Sequence, residues 1–114
     1  MSQCLFCRIA AGEIPANILY SDEDVLAFRD INPQAPLHAL VIPRKHIATI
    51  NDLQADDATL VGKLFLVAKQ VAKEAGYAED GYRVVMNCGL DAGQTVFHIH
   101  LHVLAGRALS WPPG

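Results

Sequence analysis

Apolar and polar positions follow two different periods along this chain, and each change of period marks an element. Leu60, Val61, Leu64, Phe65, Ala68, Val71, Ala72 and Ala75 recur at three- and four-residue spacing, which predicts one long helix. Asp56 is placed to cap it and Gly76 to stop it, while Lys63, Lys69, Lys73 and Glu74 lie mostly off the stripe. A shorter helix is expected over residues 4–11, with Leu5, Phe6 and Ile9 on its apolar side and Gly12 at its end. Residues 18–20 and 25–29 read as a hairpin across an acidic turn, residues 38–42 as a third strand stopped by Pro43, and residues 82–87 and 97–104 as two more. Residues 30–36, with two prolines, and residues 88–96, with Gly89 and Gly93, are loops. Strands that do not alternate with helices argue against a doubly wound fold and for an α+β fold with a mainly antiparallel sheet.

At 114 residues the chain is expected to form one domain, residues 1–114, ending in a tail over residues 105–114. Apolar residues make up 52% and charged residues 18%, the latter below the ~25% usual for a soluble domain, which hints at a buried oligomer interface. The net charge of −3 and the lack of any basic run beyond Arg44-Lys45 exclude a non-specific nucleic-acid binder. No apolar stretch approaches the ~18–20 residues of a membrane helix. With Gln3, Arg8 and Glu13 in the first fifteen residues, no signal peptide is expected there. Three cysteines, an odd number, fit a reduced chain, and the expected location is the cytoplasm.

The most informative segment is His98-Ile99-His100-Leu101-His102. On a strand, alternate side chains share a face and lie ~6.5–7 Å apart, so the three imidazoles would share one face and Ile99, Leu101 and Val103 the other. The apolar face must pack on the long helix. The imidazole face then meets solvent, holds a metal through a His-x-His pair, or carries a nucleophilic or acid–base histidine.

Residues 94–104 (QTVFHIHLHVL) resemble the signature of the histidine triad (HIT) family, in which three histidines alternate with apolar residues. The resemblance extends over nearly the whole chain: residues 13–15 (EIP), 28–36 (FRDINPQAP), 38–43 (HALVIP) and the terminal Trp111-Pro112-Pro113-Gly114 are similar to the Hint branch of that family, the purine nucleoside phosphoramidases. It implies a HIT-like fold, with a five-stranded sheet extended to ten strands in a homodimer. It also implies hydrolysis of nucleoside 5′-phosphoramidates, releasing AMP or GMP and an amine, through a covalent nucleotidyl-histidine. In that scheme His100 is the nucleophile, held by the backbone carbonyl of His98, and His102 and His38 act beside it. Thr95 supplies a hydroxyl where the family usually has Ser. Gly93, Gln94, Thr95 and Val96 surround the phosphate, with backbone N–H groups as donors. Asp30 accepts from the ribose hydroxyls, Asn87 contacts phosphate or ribose, and Leu5, Phe6, Ile9, Phe28 and Ile31 form the base slot. Trp111 is expected to cross to the other subunit and line its leaving-group side.

Cys4 and Cys7 with His46 and His98 match a Cys, Cys, His, His set that holds structural zinc in some HIT proteins; two thiols packing as small apolar groups is the competing reading. No organic cofactor, nucleic acid or membrane partner is implied. Other activities remain in competition: cleavage of dinucleoside polyphosphates, a zinc-dependent hydrolase with its metal on the histidine face, and a nucleotide-responsive interaction module with weak catalysis.

Overall fold

The computed structural model describes residues 3–114. Its elements are α1 (Leu5–Ala10), β1 (Ile18–Ser21), β2 (Val25–Arg29), β3 (Leu37–Pro43), two 3-10 turns (Ile50–Asp52 and Ala55–Asp57), α2 (Ala58–Glu74), β4 (Tyr82–Val85) and β5 (Leu101–Ala105). One antiparallel sheet runs in the order β1-β2-β3-β5-β4, so the expected α+β fold is the one observed.

The alternation of side chains splits this sheet into two unlike faces. Val25 and Ala27 of β2, Ala39 and Val41 of β3, and Leu101, Val103 and Ala105 of β5 pack with Leu64, Val67, Ala68, Val71 and Ala72 of α2. The other face buries Leu26 and Phe28, Leu40 and Ile42, under Phe6 of α1. His38 lies on β3 between Leu37 and Ala39, and so projects to the α1 side with Leu40 and Ile42.

Four expectations shift at their edges. The buried helical stripe runs through Val67 rather than Phe65, which is 51% exposed, and Ala75 is exposed at the helix end. Asp57, not Asp56, precedes α2; its buried carboxylate accepts from the Gln54 N–H at 2.9 Å and from Lys45 Nζ at 2.7 Å. Strand β1 runs on to Ser21 and β3 spans Leu37–Pro43, with Pro43 paired to Val25 rather than stopping the strand. The last two strands are shorter, β4 ending at Val85 and β5 beginning at Leu101, which leaves residues 97–100 outside the ladder. There the Ile99 N–H bonds the Ile47 carbonyl at 2.8 Å, and the His98 ring reaches the Pro43 carbonyl at 2.7 Å. These contacts draw the segment away from a regular strand. Ala105 belongs to β5, so the tail starts at Gly106.

Candidate active site

Fixed backbone groups set the protonation pattern of three imidazoles. A carbonyl can only accept, so the His98 carbonyl, 2.8 Å from His100 Nδ1, makes that nitrogen the protonated one. Neutral His100 therefore keeps an unprotonated Nε2. A backbone N–H can only donate, so the Gln34 N–H, 3.0 Å from His38 Nδ1, makes that nitrogen an acceptor and leaves the proton on Nε2. His38 Nε2 then donates to His102 Nδ1 at 2.9 Å, with Asp30 Oδ2 farther off at 3.4 Å. His102, receiving at Nδ1, carries its own proton on Nε2.

Burial keeps these rings neutral. His100 is held below the ordinary imidazole value chiefly by burial, with the His98 carbonyl and Asp30 pulling the other way. His102 is lowered further, to about 4, by burial first and then by its neighbours His100 and His38. His38 is also lowered by burial, against the opposing pull of Asp30. Phe6 stands edge-on to His100, with ring centroids 5.0 Å apart at 90°, and closes that side to water.

In front of the rings lies a cavity of about 420 Å³ lined by Leu5, Phe6 and Ile9 of α1, by Phe28, Asp30 and Ile31, by Thr95 and Val96, and by His100 and His102. An unprotonated imidazole nitrogen beside an imidazole N–H, at the end of a mainly apolar slot, suits nucleophilic attack with a hydrogen bond to the charge that develops.

The HIT domain model matches residues 11–109 of this chain. The chain belongs to the HIT family. It is 50% identical to an uncharacterized HIT-like protein of Synechocystis over 110 residues, 96% of either chain. Its structure is similar to that of a HIT family hydrolase from Legionella pneumophila, with a TM-score of 0.97 and 55% identity over 98% of this chain and 100% of that one. A histidine triad nucleotide-binding protein from Candida albicans is similar at a TM-score of 0.82 and 32% identity, over 96% of this chain and 83% of that one.

The HIT triad does not present three equivalent rings. His98 turns from the pocket toward Cys4, Cys7 and His46 and is fully buried. Its Nε2–H donates to the Pro43 carbonyl, leaving Nδ1 bare at 3.4 Å from Cys4 Sγ, 3.5 Å from Cys7 Sγ and 3.3 Å from His46 Nδ1; Cys7 Sγ lies 3.3 Å from His46 Nδ1. A tetrahedral zinc with ordinary bond lengths needs ligand separations of ~3.3 Å between two nitrogens and ~3.6 Å between nitrogen and sulfur. The four side chains fit such an ion, and the Pro43 carbonyl is the outer partner that a ligating imidazole requires. Asp30, His38 and His102 also converge. Their 2.9 Å nitrogen–nitrogen separation is that of a hydrogen bond and is shorter than the edge of a zinc tetrahedron.

Other expected positions separate. The Gly93 and Gln94 N–H groups bond the Leu90 and Gly89 carbonyls at 3.0 and 3.1 Å. The buried Gln94 side chain is likewise occupied, accepting from Gly89 N–H and donating to the Ala48 and Val96 carbonyls. Thr95 and Val96 are the loop residues that line the cavity. Asn87 and Trp111 do not line it; Trp111 is 81% exposed. Ile14, Pro15, Ala16, Arg29 and Leu40 complete the walls. Of these, Leu40 was readable from the sequence, since it lies two residues from His38 and must share its face.

Proposed function

We propose that this protein is a nucleotide-binding hydrolase of the Hint branch, cleaving nucleoside 5′-phosphoramidates of AMP or GMP. The observation that carries the reading is the 2.8 Å bond from His100 Nδ1–H to the His98 carbonyl, which leaves a neutral Nε2 beside the cavity. In the first step that nitrogen attacks the α-phosphorus and the P–N bond breaks. The amine leaves with a proton taken up from solvent, while the His102 Nε2–H donates a hydrogen bond to the phosphoryl group and keeps its proton, and His38 Nε2–H supports that ring from behind. In the second step water attacks the phosphorus, loses a proton to solvent and displaces His100, whose Nε2 is again unprotonated, to release the nucleotide. The purine lies between Leu5, Phe6, Ile9, Phe28 and Ile31, with Asp30 toward the ribose hydroxyls. These apolar walls offer stacking area and few hydrogen bonds, so base discrimination is modest.

Several further features belong to the same reading. The chain is a single cytoplasmic domain that pairs into a homodimer through the β4 edge and α2, where Phe65 and Leu66 are exposed. Its tail crosses to the partner, where Trp111 faces the leaving group. Cys4, Cys7, His46 and His98 hold zinc, which when bound supplies a closed structural cross-link. The test is to mix the protein with adenosine 5′-phosphoramidate and follow AMP release, with rapid quenching and mass analysis for a nucleotidyl adduct. An adduct on a peptide containing His100 supports the reading; turnover with full activity in His100→Gly overturns it.

A further inference from the structure

We propose that Arg107 is a positioning residue for this site, acting through residue 34 on the tautomer of His38. The tail begins at Gly106, whose φ of +95° is in the left-handed region. A Cβ there would lie 2.7 Å from Pro36 Cβ and 2.9 Å from Pro36 Cγ, so only glycine allows the chain to turn against the end of the 30–36 loop. That turn delivers Arg107 to Gln34: its Nε donates to the Gln34 carbonyl at 2.9 Å, while its Nη1 donates to the Ala108 carbonyl at 3.1 Å. Gln34 is also braced within the loop, its side-chain Nε2 donating to the Asn32 carbonyl at 3.1 Å.

The backbone N–H of the residue so held is the group that meets His38 Nδ1 at 3.0 Å. A neutral imidazole can place its proton on either nitrogen, and here an external donor decides which. With the Gln34 N–H in place, the His38 proton lies on Nε2 and bonds His102 Nδ1 at 2.9 Å. With residue 34 displaced, His38 is free to carry its proton on Nδ1, and two bare nitrogens would then face each other across the His38–His102 contact. His102 would lose the bond that aims its Nε2–H into the cavity. The path from Arg107 to His102 thus uses one guanidinium, one loop residue and one ring.

The kinetic consequence rests on the hydrolase reading above; the effect on His38 does not. The experiment compares full-length wild type, Arg107→Ala and Arg107→Lys by ¹⁵N spectroscopy of the imidazoles, by AMP titration and by turnover of adenosine 5′-phosphoramidate. In the wild type, His38 Nε2 is expected to be protonated and Nδ1 bare. In Arg107→Ala the His38 pattern moves toward a tautomer mixture and kcat falls about tenfold, the scale of losing an outer hydrogen-bond partner of a functional histidine. AMP affinity stays within about twofold, because the apolar slot is untouched. Arg107→Lys, which keeps a donor, recovers most of both. An unchanged His38 pattern in Arg107→Ala overturns the proposal whatever happens to kcat, and so does an altered pattern at wild-type kcat. A wild type that leaves the phosphoramidate intact overturns the hydrolase reading instead, and the His38 pattern still decides whether Arg107 sets the tautomer.

Discussion

The carbonyl oxygen of His98 accepts the Nδ1–H of His100 at 2.8 Å, while the ring of the same His98 faces Cys4, Cys7 and His46. One residue thus joins the metal-compatible cluster to the His100 ring through its backbone on one side and its imidazole on the other. The group that fixes the tautomer of His100 is therefore as well placed as the cluster that fixes His98.

Replacing His100 with Ala or Gly should lower turnover of adenosine 5′-phosphoramidate by about three orders of magnitude or more, as loss of a nucleophile does. AMP affinity should change little, because most of the contact area lies in the apolar slot. Steady-state kinetics and calorimetric titration check the two halves separately.

Acid should destabilise the fold through the buried histidines. The His102 value is about 4 in the folded chain against an ordinary value near 6.5, so between those values the unfolded chain binds the extra proton. Its stabilising contribution is complete above about pH 6.5 and is lost as pH falls toward about 4. His38 is shifted in the same direction. The melting temperature should fall across that window, and His102→Gln should flatten the slope.

Cys7→Ser should release a bound zinc ion and lower the melting temperature by roughly 10 °C, corresponding to a loss of about 2 kcal/mol for a domain of this size. Metal analysis of wild type purified without chelator should give about one equivalent. Less than half an equivalent would contradict a zinc site at these four residues.

Truncation after Ser110 removes Trp111 but keeps the contacts of Arg83 with the Ser110 carbonyl and of Arg107 with the Gln34 carbonyl. Selectivity among amine leaving groups should change, while turnover of the simplest phosphoramidate is maintained. Light scattering at micromolar concentration should give twice the chain mass. A monomeric mass would remove the basis for placing Trp111 at a partner's site.

Most of this architecture is written in side-chain alternation. Val25/Ala27, Ala39/Val41 and Leu101/Val103 are apolar on the α2 face, and His38, Leu40 and Ile42 must then share the other. The helix stripe was less legible, because Leu64 and Phe65 are adjacent and both fit a three- and four-residue pattern. Which of them is buried depends on the rotation of α2 over the sheet, which local spacing does not contain. The His98 segment departs from its pattern because Pro43 and Ile47, about fifty residues earlier in the chain, bond it. Gln94 showed the same limit: its position in the signature suggested a phosphate contact, while its amide is engaged by Gly89, Ala48 and Val96. The relation of Arg107 to His38 left no motif at all, since it passes through the backbone of residue 34.

Helix α1 spans only Leu5–Ala10, too few residues to be stable as an isolated helix in water. It nonetheless carries Cys4 at its cap and Cys7 within it on one side, and Leu5, Phe6 and Ile9 of the cavity wall on the other. A ligand on either side stabilises the same six residues. Zinc at the cysteines and a nucleotide at the wall would therefore be thermodynamically linked. Each would raise the affinity of the other by the same factor, and stripping the metal would weaken nucleotide binding without removing any residue that touches the nucleotide.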